Sequence, residues 1–503
     1  MEKEITGRQL KKKTNRPIVL ASIMLAMFMG AIEGTIVSTA MPAIVGDLGE
    51  FSLYSWVFSS YLLMNAVTVL IYGKLADLFG RKPILIFGIS IFLVGSILCG
   101  LAESMTTLII FRLIQGFGAG AITPIATTIV GDIYTKEERA SIQGYLSSVW
   151  GISALLGPAL GGVLVEFVSW RFIFWLNIPL GILAMIGVGI FLHENIEKKK
   201  HEIDYAGAVL LTVSISTLMF VFVEGGSRWS WLSYQALVLL GISLFAFILF
   251  YFQEKKATEP MMPFSIWKER PIFLANMTSL ITGIMLIGIS SFLPAFVQGV
   301  MEQSPIVAGF TLTTMSIGWP IASIVAGKLL LKVGLRTTSI LGGVALILGS
   351  LLFVTLTPDA GPVWAAFGSF LFGIGMGLTS TTFIVSIQST VSWEQRGIAT
   401  AANSFMRNLG NTIGAALLGG ILNSQIMRYF DEHGQGISMN LTVDSTNVLL
   451  NKEERNYLPD SLLQLLQDGL TYSLHTVYYV VLLLAIISFI FILLLPKKQE
   501  GSD

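Results

Sequence analysis

Long apolar stretches separated by short polar breaks fill the chain from Ile18 to Leu495. Fourteen of them, 18–40, 55–72, 83–101, 107–130, 143–165, 172–192, 205–224, 234–252, 272–297, 307–330, 337–356, 363–387, 399–423 and 473–495, are close to the ~20 apolar residues with which a helix crosses a bilayer. A backbone in lipid must satisfy its own polar groups, so an all-helical, many-span architecture is predicted. The first stretch follows Lys11, Lys12, Lys13 and Arg16 as a signal peptide would. Its ~23 residues exceed the 7–15 of a signal core, and it is read as the first span. An even number of spans puts both chain ends on one side. One break is long: 424–472. It ends in "DSLLQLLQDGL" (460–470), whose leucines have the spacing of a helix lying on the outer surface; a part in gating or substrate access is the other reading.

The pattern repeats. "GFGAG" (116–120) returns as "GIGMG" (373–377), and "ERASIQGYLSSVWGISALLGPALGG" (138–162) as "QRGIATAANSFMRNLGNTIGAALLG" (395–419), both displaced by 257 residues. "GKLADLFGRK" (73–82) returns as "GKLLLKVGLR" (327–336), displaced by 254. Spans 1–6 therefore correspond to spans 9–14, and spans 7 and 8 are an insertion. Two like-oriented six-helix halves are the parallel repeat of a secondary transporter, with its substrate held between them. The expected organisation is a tail 1–17, a half 18–193, a linker 194–271 with two extra spans, a half 272–495 with the outer loop 424–472, and a tail 496–503.

Composition narrows the function classes. Of 503 residues 53% are hydrophobic and 12% charged, with net charge zero. Soluble proteins carry about 25% charged residues. No basic domain stands out for nucleic acid. The single Cys99 allows no disulfide framework, and His193, His201 and His475 have no metal spacing. Of the 31 Lys and Arg, 24 fall on the side of the termini, 5 on the other and 2 within spans. That asymmetry predicts cytoplasmic termini. Four ionisable residues stand out inside the spans: Glu33, Arg112, Glu224 and Arg407. Such residues are expensive in lipid and default to functional hypotheses. Glu33 lies about 22 Å along span 1 and is expected to face the cavity between the halves. Glu224 reads as a solvated interfacial carboxylate, and Arg407 as either a structural counter-ion or a cavity residue.

These motifs resemble the major facilitator superfamily, specifically its fourteen-helix drug:proton antiporters. "GKLADLFGRKP" (73–83) is similar to the loop signature between helices 2 and 3 and implies a conformational latch of Gly73, Asp77, Gly80 and Arg81. The second half has Leu331 where Asp77 would be. "IIFRLIQGFGAG" (109–120) resembles the fourth-helix motif, implying proton coupling for Arg112, although snorkelling to the membrane surface is the plainer alternative. "GISALLGPALGG" (151–162) resembles the fifth-helix antiporter motif, with Gly157, Pro158, Gly161 and Gly162. "WRFIFWLNIPLG" (170–181) and "DYAGAVLL" (204–211) also look like this family. "AIEGTIVSTAMP" (31–42) resembles its first-helix motif, with Glu33 where the family usually has Asp, implying a proton and substrate site.

The resemblance implies a proton-driven exporter of lipophilic, often cationic, small molecules, working as a monomer in a bacterial cell membrane without a cofactor. A dedicated exporter of one siderophore, antibiotic or lipid fits the same fold. ATP drive is not indicated, because both Gly-Lys pairs, 73–74 and 327–328, are followed by Leu. An enzyme would need clustered His, Cys or acidic residues at one depth, and a sensor without transport would not need Glu33, Asp77 and Arg112.

Overall fold

The computed structural model describes residues 14–134, 136–194, 204–225, 229–257, 264–391, 396–434 and 441–496. The long helices are α1 (Arg16–Leu48), α2 (Tyr54–Phe79), α3 (Arg81–Gly100), α4 (Met105–Ile133), α5 (Lys136–Phe167), α6 (Phe172–Phe191), α7 (Tyr205–Glu224), α8 (Tyr234–Lys256), α9 (Arg270–Ala295), α10 (Pro305–Leu330), α11 (Lys332–Val354), α12 (Gly361–Thr390), α13 (Arg396–His433) and α14 (Asp460–Leu493). Among the described residues twelve are long and apolar enough to span a membrane. The expected fourteen are not reached by that measure. The helices at predicted spans 2 and 13, α2 and α13, fall outside the twelve. The uncharged stretch 408–427 of α13 is diluted by Asn408, Asn411, Asn423 and Gln425, whereas 54–71 of α2 carries no charge at all.

Local chemistry sets the helix ends. Ser104 and Thr107 form a capping box at the start of α4, and Ser304, Ser233 and Asp204 cap α10, α8 and α7. Gly80, at φ 97°, turns the chain between α2 and α3, and Gly334, at φ 81°, breaks the chain at the matching place of the repeat. A side chain at such φ is strained, so both copies need glycine there.

The fold is the two-halved bundle that the repeat predicts. In the first half α1 packs on α5 and α6, and α4 on α2 and α3. In the second, α9 packs on α13 and α14, and α12 on the α10–α11 pair. Between the halves α5 meets α10, α2 meets α13 and α1 meets α9. The extra pair lies outside: α7 packs on α8 and on the outer sides of α2 and α13 through Leu211, Ile215 and Met219.

The two faces of the bundle differ. On the face away from the termini, Tyr54 donates to the Ser291 carbonyl, Asn423 to that of Ser52 and Gln298 to that of Thr39. The loop after α13 closes this far face: its turn Val443–Leu450 buries Val443 and Leu449, while Asp444 and Asn447 accept from the Ser52 and Phe51 amides. Residues 460–470, expected as a surface helix, instead form the first turns of α14. Their Leu466 and Leu470 are buried, and Gly469 lies against Phe430. Burial in the far-face core uses the leucine stripe that would otherwise have to sit in lipid headgroups.

Candidate functional site: a buried ion pair inside the first half

Glu33 on α1 and Arg112 on α4 are both fully buried, at 0% and 1% exposure. Arg112 Nη1 donates to Glu33 Oε1 in a salt bridge. Arg112 also donates to Gln115 Oε1 at 2.7 Å and, through Nε, to the Val57 carbonyl at 3.2 Å. Asn177 donates to the other Glu33 oxygen at 2.7 Å. Gln115 hands the network on to Ser96 at 2.9 Å, and the Tyr61 ring lies 4.1 Å from the guanidinium carbon. A buried ion pair holds only with further hydrogen bonds to its donors and lone pairs, and this one draws them from α2, α4 and α6.

The contributing helices all belong to the first half, so Glu33 is enclosed there and does not face the space between the halves as expected. Arg112 and Asn177 supply the charge and hydrogen bonds that a wet cavity would otherwise provide. Arg112, likewise, does not snorkel. The sequence reading missed Asn177, Gln115, Tyr61 and Ser96. A signal for two of them was present: Gln115 is one turn from Arg112 on the same helix face, and Asn177 is the one amide in "WRFIFWLNIPLG", inside its apolar part after Arg171. The helix of α6 is interrupted at Leu176, which places Asn177 at the head of its longer segment, Asn177–Phe191.

The expected latch is partly described. Gly80 makes the turn, and Arg81 Nε lies 3.2 Å from Asp132. Glu194, unnoticed in the sequence, accepts from the Arg81 and Lys82 amides at 2.8 and 3.1 Å, capping α3 with the negative charge that a helix N-terminus favours. Gly73 and Asp77 lie on α2, and what surrounds them there is outside the description.

The fifth-helix glycines are packing surfaces. A Cβ on Gly157 would strike Thr35, and one on Gly161 would lie 2.9 Å from the Ile36 carbonyl, both on α1. On Gly162 it would lie 2.8 Å from Ile306 Cα of α10, while Gly309 of α10 rests on the Pro158 carbonyl. This motif therefore joins α1, which carries Glu33, to the second half. Gly116 and Gly120 pack on Tyr61 and Thr68 of α2, as their spacing suggested.

Glu224 is half-buried and accepts from Trp56 Nε1 at 2.9 Å, so it is tied to α2 rather than freely solvated. Arg407 lies on α13 of the second half, and its side chain is half-buried. It is not brought together with Glu33 and Arg112.

The profile of the Major Facilitator Superfamily matches residues 23–415. The chain is 34% identical to Multidrug resistance protein 3 of Bacillus subtilis, over 97% of this chain and 96% of that one. It is 30% identical to Efflux pump FUS6 of Gibberella moniliformis, over 83% and 76%. A bacterial homolog of the human lysosomal transporter Spinster, solved in an inward-facing and unoccupied conformation, superposes with a TM-score of 0.67 at 16% identity, covering 95% of this chain and 97% of that one. With its two-halved bundle, its glycine-joined helices and this profile across most of its length, the chain belongs to the Major Facilitator Superfamily.

Proposed function

We propose that this membrane protein is a proton-coupled antiporter that exports lipophilic, often cationic, small molecules from the cytoplasm by alternating access. In this reading it works as a monomer, without a cofactor, in a bacterial cytoplasmic membrane with both termini inside. The names of its relatives support the efflux class, and the 24-to-5 asymmetry of Lys and Arg supports the orientation. The observation that carries proton coupling is the buried Glu33–Arg112 pair.

A proton on Glu33 cancels the charge opposite Arg112, so the protonated and ionised states hold α1, α4 and α6 together differently. The α1 helix reaches the second half through Gly157, Gly161, Gly162 and Pro158 of α5. Proton uptake is thereby converted into movement between the halves. Because Glu33 is enclosed, proton and substrate exclude one another through helix packing rather than by sharing one charge. The far-face seal corresponds to the state open toward the cytoplasm, in which substrate enters. Gly73, Asp77, Gly80 and Arg81 act as the latch of the cycle, and Asp77→Asn slows export while changing substrate affinity no more than a few-fold.

The test is substrate-induced proton release from everted vesicles carrying an acid-inside gradient. Wild-type protein releases protons when a cationic dye is added, and Glu33→Gln, which cannot titrate, does not. Dye accumulation and proton release at wild-type rates in Glu33→Gln would overturn the assignment.

A further inference from the structure

We infer that α13 carries, beside the space between the halves, a binding site for the anionic head of an amphipathic molecule, with Arg407 as its counter-charge. The inference rests on the proposed function only in placing a ligand between the halves. It adds a charge class which that reading does not contain.

Arg407 sits about 16 Å along α13 from Arg396, at 1.5 Å per residue, near the middle of a membrane. Its guanidinium has no hydrogen bond or ion pair among the described residues. It is only half-buried, on a side of α13 that the packing of that helix leaves less filled. Ser404 and Asn411 share its side of the helix, three residues before and four after, and Asn408 lies four residues beyond Ser404; Ser404 is exposed and both asparagines are half-buried.

The packing of α13 shows where this stripe points. Gly410, Gly414 and the Arg407 carbonyl lie on Leu280, Gly283 and Ile284 of α9. Farther round, Gly419 lies on Ser55 of α2 and Gly420 on Phe222 of α7, while Phe405, Leu409 and Ala416 join the cluster of α2 and α7. The stripe occupies the remaining sector, between α9 of the second half and α2 of the first.

Guanidinium stays ionised and presents a planar fork that matches a carboxylate or a phosphodiester. Left alone at this depth it is costly, so a ligand that neutralises it is favoured. The other charges at mid-span, Glu33 and Arg112, cancel each other, which leaves Arg407 as a net positive charge beside the space between the halves. Residues 55–72 of α2 and 272–295 of α9 contain no charged side chain. These helices offer no partner to a second charge, so the remainder of the ligand is uncharged.

The experiment is equilibrium binding of dansylaminoundecanoic acid and of its methyl ester to the full-length protein in phosphatidylcholine nanodiscs. Wild-type protein is expected to bind the acid at least tenfold more tightly than the ester. Arg407→Gln removes that preference, and Arg407→Lys, which keeps the charge without the fork, retains a few-fold part of it. Equal affinity for acid and ester in wild-type protein, or an undiminished preference in Arg407→Gln, would overturn the site. If Arg407→Gln fails to fold, Arg407→Lys and the wild-type comparison decide. Nanodiscs containing phosphatidylglycerol separate two sources of the anion: displacement of the acid assigns the site to a lipid headgroup, and unchanged binding to a free organic anion. Equilibrium binding needs no gradient, so loss of this site and loss of proton coupling are read independently.

Discussion

Glu33 and Arg112 stabilise the first half only as a pair. Removing one partner of a buried ion pair costs about 3–5 kcal/mol, whereas replacing both with apolar residues of similar volume is often neutral. Glu33→Ala should therefore lower the thermal midpoint of the purified protein markedly. Glu33→Leu combined with Arg112→Met should recover most of it while remaining dead in coupled export. A double variant as unstable as the single one would show that the pair is not the unit of stability. Asn177 holds the second oxygen of Glu33 through a charge-assisted bond, worth about 1.5–3 kcal/mol. Asn177→Leu should reduce proton-coupled dye export at least tenfold in vesicles holding equal amounts of protein.

At the scale of helices, the glycines of α1 and α5 do different work. Gly34 is exposed, and a Cβ there meets nothing within 4 Å. Gly34→Ala should leave the midpoint unchanged or raise it, by up to about 1 kcal/mol of helix propensity. Gly162 faces the backbone of Pro305 and Ile306. Gly162→Val should leave a membrane-inserted protein that no longer exports, with weaker disulfide crosslinking between cysteines placed on α5 and α10. Undiminished crosslinking would remove the α5–α10 contact from the mechanism. Among the described residues the α7–α8 pair packs through α7 on α2 and α13, so cysteines introduced along 210–220 should gain little protection from substrate. Protection as strong as on α1 would mean that the extra pair lines the transport path.

Across the whole molecule, hydrogen bonds hold the far face shut, and Asp444 and Asn447 contribute two from the outer loop. At about 0.5–1.5 kcal/mol each, removing both in Asp444→Ala with Asn447→Ala should shift the open-to-closed ratio by roughly tenfold. Distances between spin labels on the far ends of the two halves should show a longer population. An unchanged distribution would assign the seal to the apolar core alone.

Much of this architecture was legible in the sequence, because a bilayer makes each span announce itself by apolar length and the repeat matches one half to the other. Gly80 was legible as part of the loop signature, and the repeat aligned Gly334 with it. So was the chemistry of the candidate site, in that charges at Glu33, Arg112 and Arg407 cannot sit in lipid without a reason. Their partners were not legible. Whether a membrane carboxylate faces water or another charge depends on helices distant in sequence, and only packing brought Arg112 and Asn177 to Glu33 while leaving Arg407 without one among the described residues. The amphipathic run 460–470 had the same ambiguity. Its leucines could cover a membrane surface or a protein core, and the neighbouring Phe430 and the turn Phe296–Val300 decided for the core. Apolar length is a property of one segment and survives translation into structure, whereas the pairing of buried charges belongs to the assembly and exists only once the helices have met.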